Sequence, residues 1–175
     1  MKSNLSTICS YVKEKVEVSL LNKWNYISTE NMLPNKEGIK EAASLPDTKY
    51  VCAYKKGDVL VSNIRPYFKK IWYAEFDGGC SNDVLVFRAK DDELSKFLYF
   101  ALSNDDFFSY SMATAKGTKM PRGDKKALME YQIENIDRKS KIKISKILSS
   151  IENKIIINKK INDNLYFLKY NIGYI

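Results

Sequence analysis

The run Lys116-Gly117-Thr118-Lys119-Met120-Pro121-Arg122-Gly123-Asp124-Lys125-Lys126 carries five basic side chains and one acid. Residues of these types at this spacing suit contact with phosphate. Gly117, Pro121 and Gly123 set an irregular backbone able to come close to a duplex. Lys116, Lys119 and Lys125 bring charge, and Thr118 brings a neutral donor. Arg122 suits bidentate reading of guanine, or else pins neighbouring carbonyls in a solvated turn. A second basic group, Arg65, Lys69 and Lys70 with Tyr67 between them, either flanks the same groove or forms an ordinary charged hairpin.

Other chemistries lack their residues. Histidine is absent, and Cys9, Cys52 and Cys80 form no Cys-x-x-Cys pair. That removes zinc sites built on Cys/His spacing and every histidine general base. Scattered thiols fit a reducing compartment and burial as small apolar groups. Asn63-Ile64-Arg65-Pro66-Tyr67 differs from the Asn-Pro-Pro-Tyr loop of amino-methyltransferases by a missing Pro and an inserted Ile-Arg, and no Gly-rich cofactor loop precedes it. Pro46-Asp47 with Asp124-Lys125-Lys126 superficially matches a metal-dependent nuclease, but such an enzyme needs its carboxylates on adjacent strands and these lie in or beside loops. No catalytic residue, no metal ligand and no bound cofactor are expected.

The elements that position these loops follow from periodicity. A chain of 175 residues suits one domain with an appended element, and 45% hydrophobic content supplies a core. The first ~50 residues read as mixed, with loops at Ser28–Asn31 and Leu33–Gly38. Val59–Ser62, Lys70–Ala74 and Val84–Phe87 read as strands between Gly and Pro turns, which implies an antiparallel or mixed sheet. Asp91-Asp92-Glu93 opens a helix with its apolar face at Leu94, Phe97, Leu98, Ala101 and Leu102. Asp105–Met112 reads as a second short helix, whose Phe107, Phe108 and Tyr110 supply core or stack on bases. Met129–Ile133 is expected to be a final strand.

From Arg138 to about Lys169 there is neither Gly nor Pro, enough for a helix of about 45 Å. Ile144, Leu148, Ile151, Ile155, Asn158, Asn162 and Leu165 recur at alternating steps of four and three, the seam of a coiled coil. A narrow stripe on so long a helix needs a partner helix. Asn158 and Asn162 either set register within that seam or mark a fraying Asn/Lys-rich end. The net charge of +8 concentrates here: Arg138–Ile175 holds nine Lys/Arg against two Asp/Glu. The expected division is a recognition domain over 1–137 and a dimerisation or spacer helix over 138–175. No basic-apolar-small leader and no apolar run near the ~18 residues of a membrane span are visible, so a cytoplasmic location without membrane contact is expected.

At these residues the chain resembles the specificity subunits of bacterial type I restriction-modification systems. The resemblance rests on Tyr26–Asn35, Gly57–Phe68, Gly78–Phe87, Gly117–Lys125 and Lys146–Ile155 in that order, so that with the helix it covers nearly the whole chain. It implies an α+β target recognition domain that reads one half of a bipartite DNA sequence, then a long helix that is a spacer and docks methyltransferase subunits. It implies no catalysis by this chain. The partner subunits would carry S-adenosylmethionine, and a restriction or motor subunit would join indirectly. Family members usually hold two recognition domains and two helices, whereas this chain shows one of each and its helix runs out at Asn171-Ile172-Gly173-Tyr174-Ile175. A half-subunit that pairs with a second copy through the helix, antiparallel if family-like, follows as an expectation. The alternative is a truncated, decoy or protein-interaction module that works through the helix without DNA specificity.

Overall fold

The computed structural model describes the backbone of residues 1–172 and the side-chain surroundings of residues 1–165. Ten strands alternate with short helices before one long one. The strands are β1 (Lys2–Asn4), β2 (Cys9–Tyr11), β3 (Lys15–Glu17), β4 (Tyr26–Ile27), β5 (Tyr50–Tyr54), β6 (Val59–Ser62), β7 (Ile71–Tyr73), β8 (Gly78–Cys80), β9 (Val84–Ala89) and β10 (Gln132–Glu134). The helices are α1 (Ser95–Leu102), α2 (Asp105–Ala113), α3 (Lys125–Met129) and α4 (Arg138–Ile172). The expected α+β class is what the chain adopts.

Two four-stranded sheets stack, one in the order β2-β9-β6-β7 and entirely antiparallel, the other in the order β3-β5-β8-β4 with a parallel β4–β8 pair. Side-chain alternation along the strands decides the layers. Val59 and Val61 of β6 and Leu85 and Phe87 of β9 join the core under α1 and α2, with Leu98, Leu102, Phe107 and Phe108. Leu60, Trp72, Val84 and Val86 face the other way and meet Ile27, Tyr54 and Cys80 of the second sheet. A smaller cluster of Leu21, Tyr26, Ala42 and Val51 covers the far side of that sheet. Phe107 and Phe108 are therefore core residues, and base stacking on them is excluded by their burial.

The second sheet fits together only because β8 opens with two glycines. A Cβ on Gly78 would fall 2.1 Å from the Asn25 carbonyl oxygen, and one on Gly79 would fall 2.5 Å from Leu21 Cδ1. The turn from β5 to β6 is closed by charge. Arg88 donates through Nε and Nη2 to the two oxygens of buried Asp58 at 2.8 Å each and reaches Glu14 at 2.7 Å. Asp58 also accepts from the Lys55 backbone N–H, and Gly57 adopts φ 93°.

One expectation is overturned. Met129 is the last residue of α3, and the strand begins only at Gln132, where it pairs with β1 at the chain's start. The reason is the cap: Asp124 Oδ1 accepts from the backbone N–H groups of Lys126 and Ala127, and Leu128 is the one fully buried residue of the short helix. The expected strands at Val59–Ser62 and Val84–Phe87 and the expected helices otherwise stand, with β7 narrowed to Ile71–Tyr73. Of the expected run-out of the last helix at Asn171–Ile175, Asn171 and Ile172 still belong to α4, and Gly173-Tyr174-Ile175 lie outside the described residues.

Candidate nucleic-acid interface

The basic run folds as a small hairpin whose base is a pair of backbone hydrogen bonds. Lys116 N donates to Arg122 O and Arg122 N to Lys116 O, both at 2.9 Å. Gly117, with φ 89°, supplies the left-handed turn that lets the tip reverse. The hairpin rests on the domain through Gly123, where a Cβ would come within 3.0 Å of both Asn63 Oδ1 and Ser111 Oγ. Thr118, Lys119 and Met120 stand exposed at the tip.

The second basic group is stitched to the first. Arg65 N donates to Pro121 O at 2.9 Å, Gly123 N to Asn63 O at 3.3 Å, and Ile64 bridges to Arg122. Pro66–Phe68 makes one 3-10 turn between two left-handed residues, Arg65 (φ 50°) and Lys69 (φ 51°). Non-glycine residues hold that conformation only when their surroundings fix it. Here the fixing partner is a third loop: Asn35 N donates to Phe68 O and Lys36 N to Lys69 O, at 2.9 and 3.0 Å. A fourth segment, the Ser81–Asp83 turn, joins through Asn63 N donating to Asp83 O at 2.8 Å. Four loops thus form one face.

Most of the cations on this face are already paired. Lys116 meets Asp124 at 2.6 Å, Arg122 meets Asp83 at 3.0 Å, and Asp105 at the start of α2 holds both Lys36 (2.6 Å) and Lys69 (2.9 Å). These partners hold Asp105 and Asp124 down to about 2, through charge-assisted hydrogen bonds from Lys36 and Lys69 in the first case and from Lys116 in the second. Lys70 is turned inward: Nζ donates to the Thr29 carbonyl at 2.5 Å, and burial lowers its pKa. Arg122 therefore meets a carboxylate rather than the neighbouring carbonyls. Arg65 and Lys119 make no ion pair among the described residues. Lys125 stands on the first turn of α3, where its carbonyl accepts from Tyr11 Oη at 2.9 Å; its ammonium acts on Cys52.

Aromatic surface accompanies the charge. Tyr67 is 49% and Phe68 40% exposed, with ring centroids 4.7 Å apart, and Lys70 Nζ lies 5.7 Å from the Phe68 centroid. Sequence reasoning nominated Tyr67 but missed Phe68, Lys36, Asp83 and Asp105. The adjacency of Phe68 to Tyr67 was a usable signal; nothing local marked the two acids.

The long helix presents a different surface. Its first turns lie on α1, where Arg138 bonds to Asp91 (2.7 Å) and Glu93, Lys141 and Ser145 are buried, and Lys96 meets Glu152 at 3.7 Å. Every described side chain from Asn153 to Leu165 is exposed. The expected seam points away from α1: Ile144, Ile151, Ile155 and Leu165 are exposed, Asn158 and Asn162 likewise, and Leu148 is half-buried. A groove of about 640 Å³ runs along the opposite flank, between Glu93 and Lys96 on one side and Ser145, Ser149 and Asn153 on the other. Among the described residues no group of three or more His, Cys, Asp or Glu side chains could hold a metal, and no helix is long and apolar enough to cross a membrane.

Comparison with known proteins bears on this arrangement. A family model described as type I restriction modification DNA specificity domain matches residues 9–166. The chain is 31% identical over 77 residues to the type I restriction enzyme EcoDI specificity subunit of Escherichia coli, a match covering 44% of this chain and 17% of that protein. The crystal structure of the HsdS subunit from Thermoanaerobacter tengcongensis is similar over 92% of this chain and 44% of that one, with TM-score 0.64 and 18% identity. The type I restriction-modification system S subunit from M. genitalium is similar over 94% and 44%, with TM-score 0.60 and 18% identity. At that identity the two structures speak for the fold. This chain spans less than half of each solved subunit and a smaller share of the curated relative.

Proposed function

Because the chain belongs to the type I restriction-modification DNA specificity domain family, we propose that it is a non-catalytic module that reads one half of a bipartite duplex target for a methyltransferase. The observation that carries this reading is the stitched face of four loops, which holds exposed Tyr67 and Phe68 and on which Arg65 and Lys119 make no ion pair among the described residues. Arg65 and Lys119 are free to bind phosphate and set the register of the domain on DNA. Arg122 exchanges Asp83 for a guanine edge or a phosphate. Lys69 and Lys116 add charge when their carboxylates are displaced. Lys70, tied to Thr29, holds the turn that presents Tyr67 and Phe68. Thr118 offers a neutral donor at the tip, and Lys125 contributes long-range attraction.

Bond making belongs to the partners in this reading. Methyltransferase subunits that use S-adenosylmethionine dock along α4, and a restriction or motor subunit joins through them. The exposed Ile144, Ile151, Ile155 and Leu165 stripe supports pairing of α4 with α4 of a second copy, which gives two recognition domains related by a twofold axis. A bipartite, symmetric target follows from that geometry. The division into a recognition domain over 1–137 and a helix over 138–175 is part of the proposal, with the first turns of α4 serving as the joint.

The same stripe favours a second reading, in which the helix is the working surface of a decoy or interaction module and the loops only close the domain. Co-purification with the host's methyltransferase subunits, followed by sequencing of methylated adenines in recipient DNA, separates the two. A new bipartite methylated motif supports the specificity module. A stable complex without methylation sinks it and supports the decoy, and no complex leaves pairing through the helix alone.

A further inference from the structure

Cys52 and Cys80 face each other across the antiparallel β5–β8 ladder. Ala53 N donates to Glu14 O on the other side of β5, so Cys52 turns its own backbone groups toward β8 and forms a hydrogen-bonded pair with Cys80. Such pairs place Cα atoms about 5.5 Å apart, inside the window that a disulfide spans. Both side chains emerge on the face of the second sheet that packs against Leu60, Trp72 and Val86. Cys80 is fully buried, whereas Cys52 is half-buried.

The two thiols are also chemically unequal. As a thiol, Cys52 points at the Val12 and Ala53 carbonyls, at 3.8 and 3.6 Å. As a thiolate it takes a hydrogen bond from Cys80, and this, with the Lys125 and Arg88 charges, lowers Cys52 to about 7 against desolvation and the Asp58 carboxylate. The same bond and burial push the Cys80 thiol far up. One sulfur is thus poised to react first and the other to keep its proton until it is needed. Cys9, whose burial pushes it to about 12, lies in the helix-side core on the other face of the first sheet.

We propose that Cys52 and Cys80 form a reversible oxidation site, in which a hydroperoxide converts the facing dithiol to a cross-strand disulfide. The Cys52 sulfur attacks a peroxide oxygen, the O–O bond breaks and an alcohol or water leaves, which gives a sulfenic acid on Cys52. The Cys80 sulfur then attacks the Cys52 sulfur, the S–O bond breaks, and the hydroxide departs as water with the Cys80 proton. The two thiols are oxidised by two electrons and the peroxide is reduced by two. The crosslink pins the strand whose next turn, Ser81–Asp83, carries the carboxylate that holds Arg122. The site stands on strand register, independently of the DNA-reading proposal.

The test uses the full chain, purified reduced, freed of reductant and treated with hydrogen peroxide, then denatured, alkylated and digested without reductant. The expected result is a Cys52–Cys80 linked peptide with a mass loss of about 2 Da, reversed by dithiothreitol, with Cys9 alkylated. Cys9→Ser should leave the link intact, and Cys52→Ser should abolish it without changing the circular dichroism of the fold. Alkylation of all three cysteines, a link through Cys9, or overoxidation of Cys52 with Cys80 still alkylatable would overturn the proposal. The wild-type map decides the matter even where a variant fails to fold.

Discussion

Arg122 Nη2 lies 3.0 Å from Asp83 Oδ1, so the arginine proposed to read a base is held by an acid from a turn 39 positions earlier in the chain. Exposed pairs of this kind contribute about 0.2–1 kcal/mol. Asp83→Asn should therefore raise DNA affinity by up to about fivefold, and Arg122→Ala should lower it by about 1–3 kcal/mol with relaxed preference at one base position. Fluorescence anisotropy against a panel of duplexes checks both; equal affinity of Arg122→Ala and wild type removes this residue from the interface.

Arg65 and Lys119 are expected to touch phosphate alone. Each alanine variant should weaken binding evenly across sequences and flatten the log–log salt slope by about one. Their thermal melting should match wild type, because neither side chain makes an ion pair among the described residues. A salt titration that leaves the slope unchanged would sink the assignment.

Asp58 is a stability residue. Its side chain is 3% exposed and neutralises Arg88, which is 27% exposed, so Asp58→Ala leaves a partly buried guanidinium with Glu14 alone and takes the side-chain acceptor from the Lys55 backbone N–H. The expected loss is about 2–3 kcal/mol, below the full cost of breaking a wholly buried pair. Urea unfolding measures it, and a midpoint equal to wild type would refute the role.

The loop face should loosen in acid. Asp105 and Asp124 are held at about 2, below their ordinary 3.8, so the stability they contribute is present above about pH 4 and is lost as pH falls through 2. Asp105 is exposed and Asp124 half-buried, and both pair with lysines at the surface, which keeps the effect local. Hydrogen exchange of the Lys116 and Arg122 amides should rise over that interval, and Asp124→Asn should give raised exchange at pH 6 already.

Ile151→Asp with Ile155→Asp should abolish self-association and leave the domain's melting nearly unchanged, since both side chains are exposed in the single chain. Sedimentation equilibrium reads this directly. A wild-type monomer at tens of micromolar would end the pairing proposal.

The sequence alone carried what is local. The short apolar runs Val59–Ser62 and Val84–Phe87 between turn residues, the acids before α1, and the four-three spacing along α4 are readable because each depends on neighbours within a few residues. The five basic residues of Lys116–Lys126 were equally visible as a candidate interface. The residues around α3 were misread because a five-residue helix is fixed by one cap and one buried leucine, too little periodicity to count. Tertiary structure decided which cations are free and which thiols meet. Asp83, Asp105 and Asp124 neutralise Arg122, Lys36, Lys69 and Lys116, and Cys80 faces Cys52, only after strands and loops distant in sequence come together. Charge composition is a property of residues, but an electrostatic surface depends on distances between them, and the fold sets those distances.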